Sequence, residues 1–485
     1  MFRWAALPLF AVAALADTGS QACTPCHAEI YRKYKLTGMA RSSGRVGDRL
    51  ESFEKASFTG AGASYRVSPA YNVEFSHGAM KSSRAMQFFI GSGAVGRSYA
   101  GFVDDFLFQS PASYYSARKS WGLSPGFDTK PFVDVARPIE PECLQCHASG
   151  SQFAKGTVNQ YADPPFAEGG VSCERCHGAG EAHVAKRGPI VNPAKLAATR
   201  RDSVCLQCHL TGAARVAQPG RGPRTFRPGD LLNDHVTVFV WSRPDPSERA
   251  ATDHAEQLAR SRCKQMAGDK LWCGTCHDAH TGSTRSPADS CLQCHTPHKD
   301  RPAACFECHM PKGRSREGEH VVYTDHTILL KPGRDTGNRV LQVFPGMKAS
   351  ERDWALAQPS RSVALLEKLA VNADAAILLQ LAQQYDTDGR GAALYERALK
   401  LEPGNATAQA NLAIYRMQAG RVKDALALWD SAFTRNPVML SAGLNLAMGQ
   451  LQSGDKPGAA ATLKRVLRFH PDSAKALELL KASEP

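Results

Sequence analysis

The stretch CERCHGAGEAH, residues 173–183, contains the pentapeptide Cys-x-x-Cys-His and, six residues further on, a second histidine, His183. Two thiols at this spacing can bond the two vinyl groups of one porphyrin, and the adjacent imidazole can then bind the iron, which is the pattern of covalent haem c attachment. The pentapeptide occurs seven times and uses fourteen of the fifteen cysteines. We therefore predict seven covalently bound haem c groups.

The seven copies share one layout, in which two cysteines form thioethers and the histidine is the proximal iron ligand. Zinc ribbons, disulfide frameworks and thioredoxin-like motifs do not explain a histidine after every cysteine pair. Cys263 is left over, and we expect a free buried thiol there. The predicted thioether cysteines are Cys23, Cys26, Cys143, Cys146, Cys173, Cys176, Cys205, Cys208, Cys273, Cys276, Cys291, Cys294, Cys305 and Cys308, and the proximal ligands are His27, His147, His177, His209, His277, His295 and His309.

The first sixteen residues, MFRWAALPLFAVAALA, have the features of a secretory signal peptide. Arg3 precedes an apolar run too short to span a bilayer, and small residues at Ala14 and Ala16 suit a cleavage site, so the mature chain would begin near Asp17. No later segment is long and apolar enough to cross a membrane. We expect an exported protein, in the periplasm, on the outer surface or outside the cell.

The formal net charge of +13 would suit nucleic-acid binding, but the predicted haems change this balance. Each haem brings two propionates, so that seven haems and loss of the signal peptide leave a charge of roughly +5 oxidised or −2 reduced. The basic residues are better explained as propionate partners than as a phosphate-binding face. We expect no nucleic-acid partner.

The spacing of the motifs predicts a mainly α chain with a loop-rich multihaem cytochrome c domain. Residues 17–140 hold the first motif, residues 141–331 hold the other six, and residues 332–360 form a linker. Between Glu51 and Gly101, the segments SYRVS, YNVEF and FFIGSG predict short strands and hairpins, with a glycine-rich irregular loop as the alternative. The six-motif region lacks apolar periodicity, so we expect short motif-bearing helices with porphyrins in place of an aliphatic core.

A 34-residue period appears in residues 361–485. Pro403, Pro437 and Pro471 are 34 residues apart, and small residues recur at the same distance, such as Ala413 with Ala447. This period is typical of tetratricopeptide repeats, which stack helix–turn–helix units into an all-α solenoid and bind other proteins. We expect about three repeats, a degenerate first unit near residues 372–403 and a capping helix from Asp472.

The sixth iron ligands determine function, because a second histidine closes an iron whereas an open position admits a substrate. His470 lies in the repeats and is expected at the surface. A histidine as close to its motif as His183 cannot easily fold back over its own haem, but it can reach a neighbouring one. The distal candidates are His77, His183, His235, His254, His280, His298, His320 and His326, with Met39 as a further possibility for the first haem.

The segments CTPCHAEIYRKYKLTGMARS, CERCHGAGEAH, CGTCHDAH, CFECHMPK and YTDHTI resemble the multihaem cytochromes related to the tetrahaem cytochrome that serves hydroxylamine oxidoreductase. The resemblance covers nearly the whole mature chain and is closest to bacterial exported forms that end in tetratricopeptide repeats. It implies bis-histidine haems in closely packed pairs, with His183 and His280 as inter-haem ligands. The sequence departs from the tetrahaem relative at Met39, where that relative has a histidine.

Eight spare histidines are enough to close seven irons, which favours an electron carrier between redox partners, with the repeats as a docking surface. One alternative is a multihaem reductase or oxidase of a small nitrogen or sulfur compound. Such an enzyme would need an open iron, most plausibly at the first haem, where Met39 or His77 could be the sixth ligand. A second alternative is a structural subunit of a larger surface complex, in which the repeats dominate.

Overall fold

The structure of the chain is a computed structural model. It describes residues 18–48, 51–127, 137–243, 245, 248–250, 252–282, 287–296, 305–315, 318–329, 338–358, 362–372, 374–385 and 389–483. The predicted signal peptide, Asp17, His298 and the two ends of the predicted linker lie outside these ranges.

In the described residues of the N-terminal part, a 3-10 helix (Ser20–Cys23) and an α-helix precede nine strands. Helix α1 spans Thr24–Tyr34 and carries Cys26 and His27 of the first motif. The strands are β1 (Ser43–Arg45), β2 (Ser57–Gly60), β3 (Ala63–Val67), β4 (Asn72–His77), β5 (Met80–Ala85), β6 (Phe88–Ile90), β7 (Gly96–Val103), β8 (Phe106–Tyr115) and β9 (Ser120–Leu123).

These strands form two antiparallel sheets around an aromatic core. One sheet has the order β1-β6-β7-β8-β9 and the other the order β2-β3-β4-β5. In β3, Ala63, Tyr65 and Val67 are buried and alternate with exposed residues, as expected of a strand with one face in a core. The predicted strands between Glu51 and Gly101 are confirmed, whereas β8 and β9 lie beyond the segment that the sequence indicated.

The middle part carries six motifs, and each of them overlaps a short helix. Two hairpins and a three-stranded sheet of order β12-β13-β16 lie between these helices. The helices are α2 (Pro141–His147), α3 (Glu174–His177), α4 (Glu181–Val184), α5 (Ala198–His209), α6 (His254–Arg260), α7 (Arg262–Ala267), α8 (Cys273–Cys276), α9 (Pro287–Leu292) and α10 (Cys305–His309), and the strands are β10 (Ala148–Phe153), β11 (Tyr161–Gly169), β12 (Ala214–Ala217), β13 (Val236–Trp241), β14 (Lys312–Ser315), β15 (Gly318–Thr324) and β16 (Leu341–Val343).

The expectation that this region lacks an aliphatic core is wrong at β13. Val236, Val238 and Phe239 on this strand are fully buried. Val236 and Val238 pack in one hydrophobic cluster with Leu210 and Leu232. The unbroken apolar run VTVFVW explains this burial, because both faces of the central strand are covered. The predicted linker also contributes here, since its strand β16 pairs with β13.

The C-terminal part is all helical and fits the tetratricopeptide solenoid that the period predicts. Ala398, Ala413 and Ala447 are fully buried where consecutive helices approach each other closely. Gly420 follows the helix Ala406–Gln418 with a φ of 71°, a left-handed conformation that glycine adopts without strain. The helices are α11 (Glu351–Ala357), α12 (Val363–Ala370), α13 (Ala375–Gln384), α14 (Gly391–Leu401), α15 (Ala406–Gln418), α16 (Val422–Arg435), α17 (Leu440–Gln452), α18 (Lys456–Phe469) and α19 (Ala474–Ser483).

The last repeat packs against the N-terminal strands. Phe469, at the end of α18, is 2 % exposed, and its ring centroid lies 6.2 Å from that of Phe106 and 5.8 Å from that of Phe108. Arg84 donates a hydrogen bond to the carbonyl oxygen of Arg468, and Arg468 pairs with Asp104. These contacts hold the repeats against the part of the chain that carries the first motif.

Within the described residues, no helix combines the length and the apolar character needed to cross a membrane.

Replacing Phe469 with alanine should destabilise the protein by about 3–5 kcal/mol, because a fully buried aromatic side chain is removed from a packed cluster. Denaturant unfolding followed by circular dichroism measures this change. The matched control is Leu477→Ala, which removes a 44 % exposed side chain of α19 and should cost less than about 0.5 kcal/mol. Equal effects of the two substitutions would contradict the docking of the last repeat.

Candidate haem-ligand site

Three motif histidines each face a second histidine from another segment. The ring centroids of His27 and His183 are 6.5 Å apart, with an angle of 16° between the ring planes. Those of His177 and His280 are 6.0 Å apart at 16°. The third pair, His277 and His326, has a centroid separation of 6.2 Å and an angle of 30°.

This spacing fits an iron between the two rings. Metal–imidazole bonds of about 2 Å place two trans nitrogens about 4 Å apart, and the ring centroids then lie about 6 Å apart. The residues present therefore fit haem with two axial histidines.

Hydrogen bonds set the tautomer of several of these rings. Nδ1 of His177 lies 2.8 Å from the carbonyl oxygen of Val191, and Nδ1 of His326 lies 2.8 Å from that of Thr324. A carbonyl oxygen only accepts, so Nδ1 carries the proton and Nε2 keeps the lone pair that binds a metal. His183 has the same arrangement, with Nδ1 at 3.3 Å from the oxygen of Gly188.

Burial also favours the form that binds iron. A protonated imidazole cannot coordinate a metal, and desolvation disfavours the charged ring. Burial lowers the pKa of His254 to about 3. Burial also lowers the pKa of His147, His177, His209, His277 and His326.

His326 is held in place by an ion pair on the preceding residue. Asp325 Oδ2 lies 2.6 Å from Nη1 of Arg249, and both side chains are 12 % exposed. Burial raises the pKa of Asp325, but hydrogen bonds from Thr327 and Arg249 outweigh it and leave the pKa below its ordinary value. The carboxylate therefore stays charged and fixes the turn that presents His326.

His254 approaches two rings. Its centroid is 5.4 Å from that of His209 at an angle of 68°, and 4.7 Å from that of His326 at 86°. Its Nδ1 is buried and has no hydrogen-bond partner among the described residues. Because His326 already faces His277, His209 is the motif histidine that remains for His254.

The other motif histidines differ in their surroundings. His147 is buried, and its Nδ1 has no hydrogen-bond partner among the described residues. None of the histidine ring contacts of the described residues involves the ring of His147. His295 is exposed. Nδ1 of His309 lies 3.0 Å from the carbonyl oxygen of Leu329. The structure gives His320 only a backbone position, on β15.

Two distal candidates, His77 and His235, take no part in the histidine ring pairs of the described residues. Both ring nitrogens of His235 have protein partners, Thr225 Oγ1 at 2.7 Å and Asp230 Oδ2 at 3.1 Å, which leaves neither nitrogen for iron. His77 lies in β4, with Nδ1 at 2.8 Å from the carbonyl oxygen of Gly62. His183 is the ring that faces His27, and the predictions of His77 or Met39 as the ligand of the first iron stay predictions.

Motifs far apart in the sequence are neighbours in the structure. Cysteines of different motifs are neighbours that perturb each other electrostatically, between motifs one and three, two and four, four and five, and six and seven. The pairs are Cys23 with Cys173, Cys146 with Cys208, Cys205 with Cys273, and Cys291 with Cys305. Cys263 is half-buried on α7.

Residues between the two cysteines of a motif connect some of these neighbours, and the sequence analysis missed them. Nη2 of Arg175, in the third motif, lies 2.9 Å from the carbonyl oxygen of Gln145 in the second motif and 2.9 Å from Oε1 of Gln207 in the fourth. The two x positions of Cys-x-x-Cys-His accept any residue type, so the sequence contains no signal for such contacts.

Comparison with known proteins gives one family and several distant structures. Residues 123–178 match the family described as cytochrome c554 and c-prime. This segment contains the second and third motifs, so the match supports a c-type cytochrome with covalently bound haem c. No curated protein matches the chain.

The solved structures match the chain only in part. One of MamA AMB-1 has 24% identity, covers 27% of this chain and 84% of its own, and has a TM-score of 0.25. The first TPR of Spaghetti (RPAP3) bound to an HSP90 peptide has 18% identity over 23% of this chain and 90% of its own, with a TM-score of 0.22. At these TM-scores the repeat fold rests on the helix pairs of the chain itself.

Replacing His280 with alanine should leave the iron at His177 with one imidazole and convert one haem from low spin to high spin. Electron paramagnetic resonance of the oxidised protein measures the fraction of high-spin haem. The control is His77→Ala, which removes a histidine of β4 and should leave the spectrum unchanged. If the low-spin count survives His280→Ala, then His280 is not an axial ligand.

Proposed function

We propose that this chain is an exported heptahaem c-type cytochrome that transfers electrons between redox partners. The observation that carries this proposal is the pairing of motif histidines with second histidines at centroid distances of 6.0–6.5 Å. Two axial imidazoles close an iron to substrates and favour electron transfer over catalysis. The cleavable leader predicted at residues 1–16 supports export.

Three pairs of ligands are taken from the rings at 6.0–6.5 Å, and a fourth pair, His209 and His254 at 5.4 Å, is assigned because His326 already faces His277. In this proposal His27 and His183 bind the first iron, and His177 and His280 bind the third. His209 and His254 bind the fourth iron, and His277 and His326 bind the fifth. When bound, each haem supplies an iron that alternates between two oxidation states one electron apart.

In this proposal, the chain's own residues bring neighbouring haem sites together. His183 follows the third motif but faces the histidine of the first, and His280 follows the fifth motif but faces that of the third. The segment around each of these ligands therefore contributes to two haem sites, through its own motif and through the second histidine. We propose a continuous path through motifs one, three and five, joined by motifs two and four.

The repeats are proposed as the docking surface for a redox partner. A cavity of about 1380 Å³ separates them from the N-terminal end of α2, the helix that carries the second motif. Glu142 and Arg224 line it on the cytochrome side, and Lys368, Asn405 and Arg435 line it on the repeat side. A protein segment bound there would lie beside the second haem.

The alternative is an enzyme with an open iron. The first haem is a poor place for that reaction because His183 faces His27. His147 is a better one to examine, since its ring is buried and meets no second histidine among the described residues.

Intact-mass spectrometry of the exported protein should give seven haems per chain, and magnetic circular dichroism should show predominantly low-spin iron with two nitrogen ligands. A high-spin fraction that shifts with nitrite, hydroxylamine or sulfite would instead support the enzyme. A protein that contains zinc and no haem would contradict both the electron-carrier and the enzyme hypotheses.

A further inference from the structure

Glu174 lies in the third motif, but its carboxylate contacts two other segments. Its side chain accepts hydrogen bonds from three backbone amides: Thr18 N at 3.2 Å, Gly19 N at 3.1 Å and Gly180 N at 2.7 Å. The residue is 6 % exposed. A buried carboxylate at this position is stable because these amide donors replace the water that it loses.

The amides belong to the starts of the two segments that carry His27 and His183. Gly19 immediately precedes the 3-10 helix Ser20–Cys23, which runs directly into α1 and His27. Gly180 is the N-cap residue of α4, which carries His183. One carboxylate therefore holds the backbone on both sides of the facing ring pair.

Other contacts keep the first segment near the third motif without linking it to His183. Ser20 Oγ accepts a hydrogen bond from Cys173 N at 3.1 Å, and Ser20 N donates to Glu168 Oε2 at 2.8 Å. The hydroxyl of Tyr34 donates to the carbonyl oxygen of Val171 at 2.7 Å. These contacts are independent of Glu174, so removal of its carboxylate should release the ring pair while the segment stays docked.

We infer that Glu174 is a positioning residue that sets the distance and the angle between both axial histidines of the first haem. It touches neither ring and acts through the backbone of Gly19 and Gly180. The inference rests on the proposed function, because it requires haem bound between His27 and His183. A residue of the third motif would then control the coordination of the first haem.

The test uses Glu174→Ala and Glu174→Gln in the full chain. The alanine variant should keep seven haems by intact mass, while one haem of the seven changes from low spin to high spin in the paramagnetic resonance spectrum. Glutamine keeps one acceptor oxygen, so this variant should stay low spin but shift the g-values and the midpoint potential of that one haem. The matched control is Glu307→Ala, which removes an exposed glutamate from the corresponding region of the seventh motif.

An unchanged spectrum and unchanged potentials in Glu174→Ala, with seven haems present, would overturn the inference and leave the proposed function intact. A wild-type protein without haem at Cys23 and Cys26 would overturn the proposed function itself. Hydrogen exchange on the unmutated protein gives a second measurement that needs no variant to fold. The amides of Gly19 and Gly180 should both be protected, and rapid exchange at Gly180 would also overturn the inference.

Discussion

A histidine next to its own thioether cysteines can reach only one face of a haem, so the opposite ligand has to come from another segment. This constraint organises the middle of the chain. His183, His280 and His326 each come from a loop or short helix that follows a different motif, and each faces a motif histidine. Secondary structure can remain short here because each bound iron would join two segments directly, much as a structural metal does in a small domain.

Protein contacts support the same arrangement. Glu174 joins the two segments of the first ring pair, and Arg175, the next residue, bonds to the second and fourth motifs. The third motif is therefore a structural centre as well as a candidate haem site. Because the third motif lies between the first, second and fourth motifs, residues of this one pentapeptide can contact all three.

The sequence predicted what depends on local pattern and missed what depends on distant contacts. Spacing alone indicated the seven motifs, and the period of Pro403, Pro437 and Pro471 indicated the repeats. The partner of each distal histidine could not be predicted, because a ring such as His254 is placed by the packing of α6 and not by its neighbours in sequence. The buried strand β13 is present in the sequence as the apolar run VTVFVW, but periodicity alone cannot tell so short a run from a segment of a buried helix.

The contact between the last repeat and the first sheets has a consequence for the order in which the chain folds. Arg84 and Arg468 are 384 positions apart in the chain, and contacts of such separation form late because a long loop must close first. Phe106 and Phe108 come early in the chain and Phe469 comes late, so the two early rings stay uncovered until the last repeat docks. Docking of Phe469 then buries them, which makes this contact one of the last to form as the chain folds.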